Sequence, residues 1–192
     1  HDDGTFSFDP GNEFQGLDAG ETKDVTFTYT ATDSQGLVSN SATATITVTG
    51  LNDAPVAAGV AAAGAEDGPA VIGLFVADDV DGNDVPGNLI YTILSQPAEG
   101  TVASNGDGKF TFTPGTAFQD LAEGETRLVS FTYQAKDQSG AASNIAAGTI
   151  TVTGKNDEPT AANLAVTVTE GQASAPIAFK GDDIDSDDTP AT

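Results

Sequence analysis

The 192-residue chain has no cysteine, methionine or tryptophan, and its only histidine is His1. Without cysteine there is no disulfide staple, no thiolate metal site and no cysteine nucleophile. A single terminal histidine leaves neither a Ser-His-Asp triad nor a His-ligated catalytic metal, and the chain is read as a non-enzyme. Basic residues are scarce, six against 29 acidic ones, for a formal net charge of −23. So few cations cannot displace the counterions of a phosphate backbone, which excludes nucleic acid as a partner. No apolar run approaches the roughly 18 residues that span a bilayer, and no signal peptide is visible, so no membrane insertion is expected. The chain starts at His1 in mid-pattern and reads as a piece of something longer.

A charge of this size opposes compaction unless solvent ions screen it or bound cations neutralise it. A secreted chain without disulfides also needs another way to stiffen its modules, and metal ions are the usual one. Composition does not separate an acidic soluble surface from multivalent cation binding. It does not indicate disorder either, because the apolar residues are strongly periodic.

The main feature is an ungapped internal repeat with an offset of 104 residues, Phe6 matching Phe110. Gly4–Asp53 and Gly108–Asp157 share 29 identities in 50 positions, too many for chance convergence of two β-rich stretches. The register continues beyond: Glu66 meets Glu170, Phe75 meets Phe179, and Asp78 meets Asp182. The expected domain map is therefore 1–53 as the C-terminal half of a first repeat, 54–157 as a complete repeat, and 158–192 as the start of a third. Asn52-Asp-Ala-Pro55 and Asn156-Asp-Glu-Pro159 mark the boundaries, where proline stops one strand and holds its predecessor extended.

Within a repeat the pattern is that of strands. Lys109–Thr113, Ser130–Ala135 and Gly148–Thr153 alternate apolar and polar residues, as strands buried on one face do. Leu89–Leu94 and Val71–Ala77 add two more, and Asn105-Gly-Asp-Gly108 is a hairpin signal. About seven short strands per hundred residues predict an all-β fold of tandem immunoglobulin-like, antiparallel β-sandwiches. Tyr29, Tyr91 and Tyr133 lie within strand patterns and are expected in the core or on strand faces, not on a sugar-binding platform.

Three acidic elements recur at the same offset or by motif. They are Asn52-Asp53 with Asn156-Asp157, the run Asp78-Asp-Val-Asp-Gly-Asn-Asp84 with Asp182–Asp188, and Asp33 with Asp137. Such residues are common turn formers, since their side chains bond nearby backbone groups. They are also the hard oxygen donors that Ca2+ collects, six to eight at a time, from several loops. Their joint recurrence favours calcium. The run is not an EF-hand, since counting from Asp79 places Asp84 at the glycine position and Ile90 where glutamate is required.

Phe75-Val-Ala-Asp-Asp-Val-Asp-Gly-Asn83, Ala135-Lys-Asp-Gln-Ser-Gly140 and Thr149-Ile-Thr-Val-Thr-Gly-Lys-Asn-Asp-Glu-Pro159 resemble, in order, the signatures of the cadherin repeat. They are also similar to its bacterial relatives, the cadherin-like and VCBS-type repeats of large secreted RTX adhesins. Glu66 occupies the place of the family's early glutamate. The resemblance implies calcium at each junction. Near Asn52 and Asp53 it would be held by Asp79, Asp81 and Asp137 of the following repeat with Asp18 or Glu21 of the preceding one. Near Asn156 and Asp157, Glu66 and Glu123 or Glu125 would meet Asp183 and Asp185. The family's Leu-Asp-Arg-Glu element is replaced by Leu121-Ala-Glu-Gly-Glu125, which leaves the choice of glutamate open. Gly50 and Gly154 stand where an aspartate is usual, so fewer ions per junction are expected than in animal cadherins.

The function implied is a calcium-rigidified extender repeat of a secreted or bacterial cell-surface adhesin, with neighbouring repeats of the same chain as its partners. The alternative is a carbohydrate- or protein-binding adhesion module in its own right. Residues 1–53 and 158–192 are partial repeats that either belong to a longer polymer or complete each other head to tail between chains. Together they lack a counterpart of about 89–103, which favours the longer polymer. Replacing Asp79 and Asp81 together by alanine should weaken calcium binding and loosen the first junction while leaving the β circular dichroism unchanged. Isothermal titration of that double variant checks it, and an unchanged affinity would remove both residues from the site.

Overall fold

The computed structural model describes residues 4–188. Its elements are β1 (Thr22–Tyr29), β2 (Ala42–Thr49), β3 (Val56–Ala57), β4 (Val60–Ala65), β5 (Val71–Leu74), β6 (Ala77–Asp78) and β7 (Ile90–Ser95), followed by β8 (Thr101–Ser104), β9 (Lys109–Thr113), β10 (Thr126–Lys136), β11 (Ala146–Thr153), β12 (Thr160–Ala161) and β13 (Gly181–Asp182). Among the described residues there is no helix. Two compact units form. One gathers residues up to Ala57 with Ala77–Ile90 and Ala135–Asn144; the other gathers Ala58–Val76, Tyr91–Gln134 and the chain from Ile145 onward.

The second unit is a sandwich. One sheet has the strand order β4-β11-β10-β7 and the other β5-β9-β8. Alternation puts Phe110 and Phe112 of β9, Val129, Phe131 and Tyr133 of β10, and Ile150 and Val152 of β11 inside, all buried. Phe75 stacks on Tyr91 at 4.9 Å and meets Tyr133 at 4.8 Å, while Phe110 meets Phe131 edge-on at 5.0 Å. Gly148 lies beneath the Phe131 ring, and a Cβ there would come within 2.2 Å of it. The expected antiparallel sandwich holds with one exception, since β4 pairs parallel to β11, Val60 opposite Gly148. The predicted hairpin at Asn105–Gly108 joins β8 to β9.

Two expectations change. Val71–Ala77, read as one strand, breaks at Phe75 and Val76, because β5 pairs with β9 whereas β6 pairs with β3. The break is pinned by the Tyr133 hydroxyl, which accepts the Val76 N–H at 3.2 Å and has the Val76 and Ala58 carbonyls in donating reach. Second, β4 was not legible, because Val60-Ala-Ala-Ala-Gly-Ala65 has no alternation of large apolar with polar side chains.

In the first unit β1 and β2 form a hairpin that pairs Thr22 with Thr49 and Tyr29 with Ala42. That register reproduces the β10–β11 pairing of Thr126 with Thr153 and Tyr133 with Ala146. Its aromatic face is open, however. Tyr91 and Tyr133 are core residues, and Tyr29 lies on an exposed strand face of β1.

Tyr133→Phe should destabilise the protein by about 1–3 kcal/mol, because it strips the part-buried Val76 N–H of its acceptor and the Ala58 carbonyl of a donor. Phe110→Ala should cost more, about 3–5 kcal/mol, by leaving a cavity. Urea unfolding followed by tyrosine fluorescence and circular dichroism gives both values.

Candidate metal centres

Two acidic clusters form where the linkers meet the loops. In the first unit, Asp79 Oδ1 accepts the N–H of Asp81 at 3.0 Å and the Asp84 N–H returns to the Asp81 carbonyl at 3.2 Å, folding the acidic run into a tight turn. The linker closes on that turn, with Asp53 N–H donating to Asp81 Oδ2 at 2.9 Å. Asp137 accepts the N–H groups of Gly140 and Ala141 on Oδ1, and on Oδ2 the Asn52 amide at 2.9 Å. Asp84 accepts the Gln138 N–H at 3.4 Å. Carboxylate oxygens of Asp79, Asp84 and Asp137 all lie within 4.8 Å of one another.

The second unit repeats the design. Asp185 N–H donates to Asp183 Oδ1 at 2.9 Å, and Asp157 N–H donates to Asp185 Oδ2 at 3.0 Å. Asp183, Asp185 and Asp188 bring carboxylate oxygens within 4.8 Å. Glu66 enters from the end of β4, its Oε1 accepting the Lys155 N–H at 2.6 Å. Asn156 turns its amide onto the Asp157 carbonyl at 2.6 Å.

Both units place a glycine where the last strand ends. A Cβ on Gly154 would lie 2.3–2.4 Å from the carbonyl oxygens of Leu121 and Ala122, and one on Gly50 equally close to those of Leu17 and Asp18. The aspartate usual at that place in the resembled repeats has no room here.

Most of the predicted residues converge. Asn52, Asp53, Asp79, Asp81 and Asp137 are linked directly, and Asp18 joins by accepting the Asn83 N–H at 3.1 Å. Glu21 does not, being exposed and turned back onto the Asp18 N–H. In the second cluster Glu125 reaches the acidic run through the Ser186 hydroxyl at 2.7 Å. Glu123 instead forms an exposed ion pair with Lys155 at 2.9 Å while accepting the Asn156 N–H. Asp84 and Asp188, which join these carboxylate groups, were not among the individually predicted residues, although both end the acidic runs that were singled out. Asp67 lies close enough to repel Glu66 and Asp157 but accepts the Gln119 amide at 3.0 Å.

Within these clusters, Oε2 of Glu66 and one carboxylate oxygen each of Asp79, Asp81, Asp157 and Asp185 are buried with no hydrogen-bond partner. Burial pushes Asp81 up, and Asp79, Asp53 and Asp18 add to it by repulsion. Burial does the same to Glu66, with Asp157, Asp67 and Asp185 contributing, and to Asp157, with Asp67, Asp185 and Asp183. Asp188 is raised by burial and by Asp183, Asp187 and Asp185. Burial would also raise Asp137, but the Asn52 amide and the N–H groups of Ala141, Gly140 and Ser139 outweigh it and hold it low. Orphaned, repelling oxygens of this kind fit a hard divalent cation. Lys155 and Arg127 do not relieve them, being committed to Glu123 and to Asp120 with Glu99.

Two packed sheets with acid-lined turns beside the linker define a cadherin-type β-sandwich module. Residues 52–154 match the model of the bacterial cadherin-like domain, and the chain belongs to that family. Domains of this kind are adhesion and extracellular modules, and cadherin domains typically bind calcium. No curated protein matches the chain. Among solved structures, mouse clustered PcdhgC3 EC1-3 is 19% identical, over 70% of this chain and 55% of its own, with a TM-score of 0.41. Protocadherin Gamma B2 extracellular cadherin domains 1-5 are 16% identical, over 85% of this chain and 32% of their own, at 0.45. An endo-fucoidan hydrolase from glycoside hydrolase family 107 is 18% identical over 69% of this chain but 19% of its own, at 0.35.

The shifts fix the sign of the pH dependence without metal. Glu66, Asp81, Asp157 and Asp188 hold their protons to higher pH when folded. Between the ordinary carboxylate range, near 4, and those raised values, the folded state therefore binds more protons than the unfolded chain, and stability grows as pH falls. Asp137, like Asp107, Asp120 and Glu123, is held low, so its contribution is lost only below that range. A chelated sample should melt higher on mild acidification from neutrality and lower again below about pH 4. A melting temperature that declines steadily from neutral pH would show that the buried acids do not govern it.

Proposed function

We propose that this chain is a calcium-rigidified extender of a large secreted or bacterial surface adhesin, of the VCBS and RTX kind, that projects a binding region away from the cell. The observation that carries this reading is the set of five buried carboxylate oxygens without partners, all in the two linker clusters. In a chain of net charge −23, such groups are tolerable when a cation takes the place of missing donors. Asp53, Asp79, Asp81, Asp84 and Asp137 would hold an ion in the first cluster. Asp157, Asp183, Asp185, Asp188 and Glu66 would hold one in the second, with Glu125 the better placed of the two candidate glutamates. Calcium would supply charge neutralisation and a link between linker and turn, with no chemistry on a substrate.

The 104-residue register supports a map of repeats at 1–53, 54–157 and 158–192, and each cluster falls at one of its boundaries. Calcium would thus stiffen repeat junctions outside the cell, where it is plentiful, and leave them loose inside. Extracellular modules of this kind bind at roughly 10⁻⁴ to 10⁻³ M.

At a hundredfold excess over the dissociation constant, each occupied site adds about 2.7 kcal/mol. For a chain of this length that raises the melting temperature by about 5–10 °C per site. Calorimetry with chelator, with calcium and with magnesium measures it. A response to magnesium equal to that of calcium, or to neither, sinks the reading.

A further inference from the structure

We propose that Asn105, in the β8–β9 hairpin, is a self-modifying site: it converts without an enzyme to aspartate and isoaspartate, and the Thr111 hydroxyl sets the rate. No residue of this hairpin belongs to either acidic cluster, and the proposal does not rest on bound calcium.

The chemistry needs a side-chain amide carbon within reach of the next backbone nitrogen, and nothing crowding that nitrogen. Asn105 is the one asparagine of the chain that precedes glycine. Every other asparagine is followed by a residue whose Cβ screens the nitrogen that would have to attack. Asp67, Asp81 and Asp107 also precede glycines, but a carboxylate is a far poorer electrophile than an amide. Asn105 and Gly106 are both exposed, and a Cβ placed on Gly106 would meet nothing within 4 Å. Gly106 sits at a φ of 80°, which glycine holds at no steric cost. Among the described residues no group accepts the Gly106 N–H, so its proton is open to base in the solvent.

In the first step the Gly106 nitrogen gives its proton to solvent base and bonds to Cγ of Asn105. The Cγ–Nδ2 bond breaks, and Nδ2 leaves as ammonia after taking a proton from water. The five-membered succinimide that results adds one water across either of its carbonyl–nitrogen bonds. Opening at Cγ gives aspartate on the ordinary backbone. Opening at the main-chain carbonyl carbon gives isoaspartate, whose backbone runs through Cβ and Cγ and is one atom longer.

Thr111 restrains the first step. Its Oγ1 accepts from Asn105 Nδ2 at 3.0 Å and donates to Oδ1 at 3.1 Å, so one hydroxyl holds both ends of the amide. Thr111 is itself fixed in β9 between the buried Phe110 and Phe112, opposite Ala103 of β8 and Ile72 of β5. An amide held on the neighbouring strand has to leave it before Cγ can swing onto the following nitrogen. The same hairpin decides what conversion does. The Asn105 N–H closes the loop on the Lys109 carbonyl at 2.9 Å, a bond that a longer backbone displaces. A new carboxylate at 105 also arrives beside Asp107, whose lysine partner, Lys109 at 2.9 Å, is already taken.

The folded 192-residue chain, kept in mildly alkaline buffer and sampled by intact mass, should gain about 1 Da, the difference between an amide NH2 and a carboxyl OH. Peptide mapping should place the gain at Asn105 as paired aspartyl and isoaspartyl peptides, with ammonia released mole for mole. Asn105→Gln, whose longer side chain would have to close a six-membered ring, should remove the gain. Thr111→Val keeps the branched shape without the hydroxyl and should speed conversion about two- to fivefold, the factor that one ordinary hydrogen bond is worth in a rate. Thr111→Ser, which restores the hydroxyl, should convert at the wild-type rate, and circular dichroism checks that all three variants keep the fold. A serine variant as fast as the valine one would make the shape of the hairpin, not the hydroxyl, the brake and overturns the proposal. A Thr111→Val chain that converts no faster than wild type overturns it too, as does an Asn105 that stays intact.

Discussion

Repulsion between carboxylates taken out of water is the constraint around which the module ends are organised. Asp79, Asp81 and Asp84 share one turn with the linker residue Asp53 folded over it, and Asp137 faces them from the far end of β10. Backbone N–H groups satisfy part of this charge, but each has one proton to give, and several oxygens are left over. The turn geometry that gathers the acids is thus also what leaves them unsatisfied. The two clusters are complementary views of one design: the first shows the contribution of Asp137, the second that of Glu66.

Much of this was legible in the sequence because the information repeats. A 104-residue offset fixes register without any structure, and period-two runs such as Lys109–Thr113 can hardly be anything but strands buried on one face. The acidic elements were readable as a group for the same reason. What escaped were features set by partners distant in the chain. Nothing local in Val60–Ala65 announces a strand, since its pairing is imposed by β11. Nothing local divides Val71–Ala77, since the break belongs to a hydroxyl on β10. The choice between Glu123 and Glu125 was equally non-local, turning on Lys155 and Ser186.

The glycines at Gly50 and Gly154 show how one absence can have two readings. Against the resembled signature, each looks like a lost ligand. In the structure each is the residue that lets the backbone of the preceding loop pass within van der Waals contact of the last strand, which leaves no space for a side chain. The loss of a carboxylate there follows from packing, and the linker acids that remain carry the charge on their own.

The parallel pairing of β4 with β11 has a consequence for how such a chain comes to be folded. β4 finds its place only beside β11, and Val60 is bonded 89 residues away in sequence. Closing so long a loop costs entropy before any contact repays it, and topologies rich in distant pairings fold slowly. The sheet β4-β11-β10-β7 therefore cannot be completed until Val60–Ala65 and Ala146–Thr153 are both free to pair.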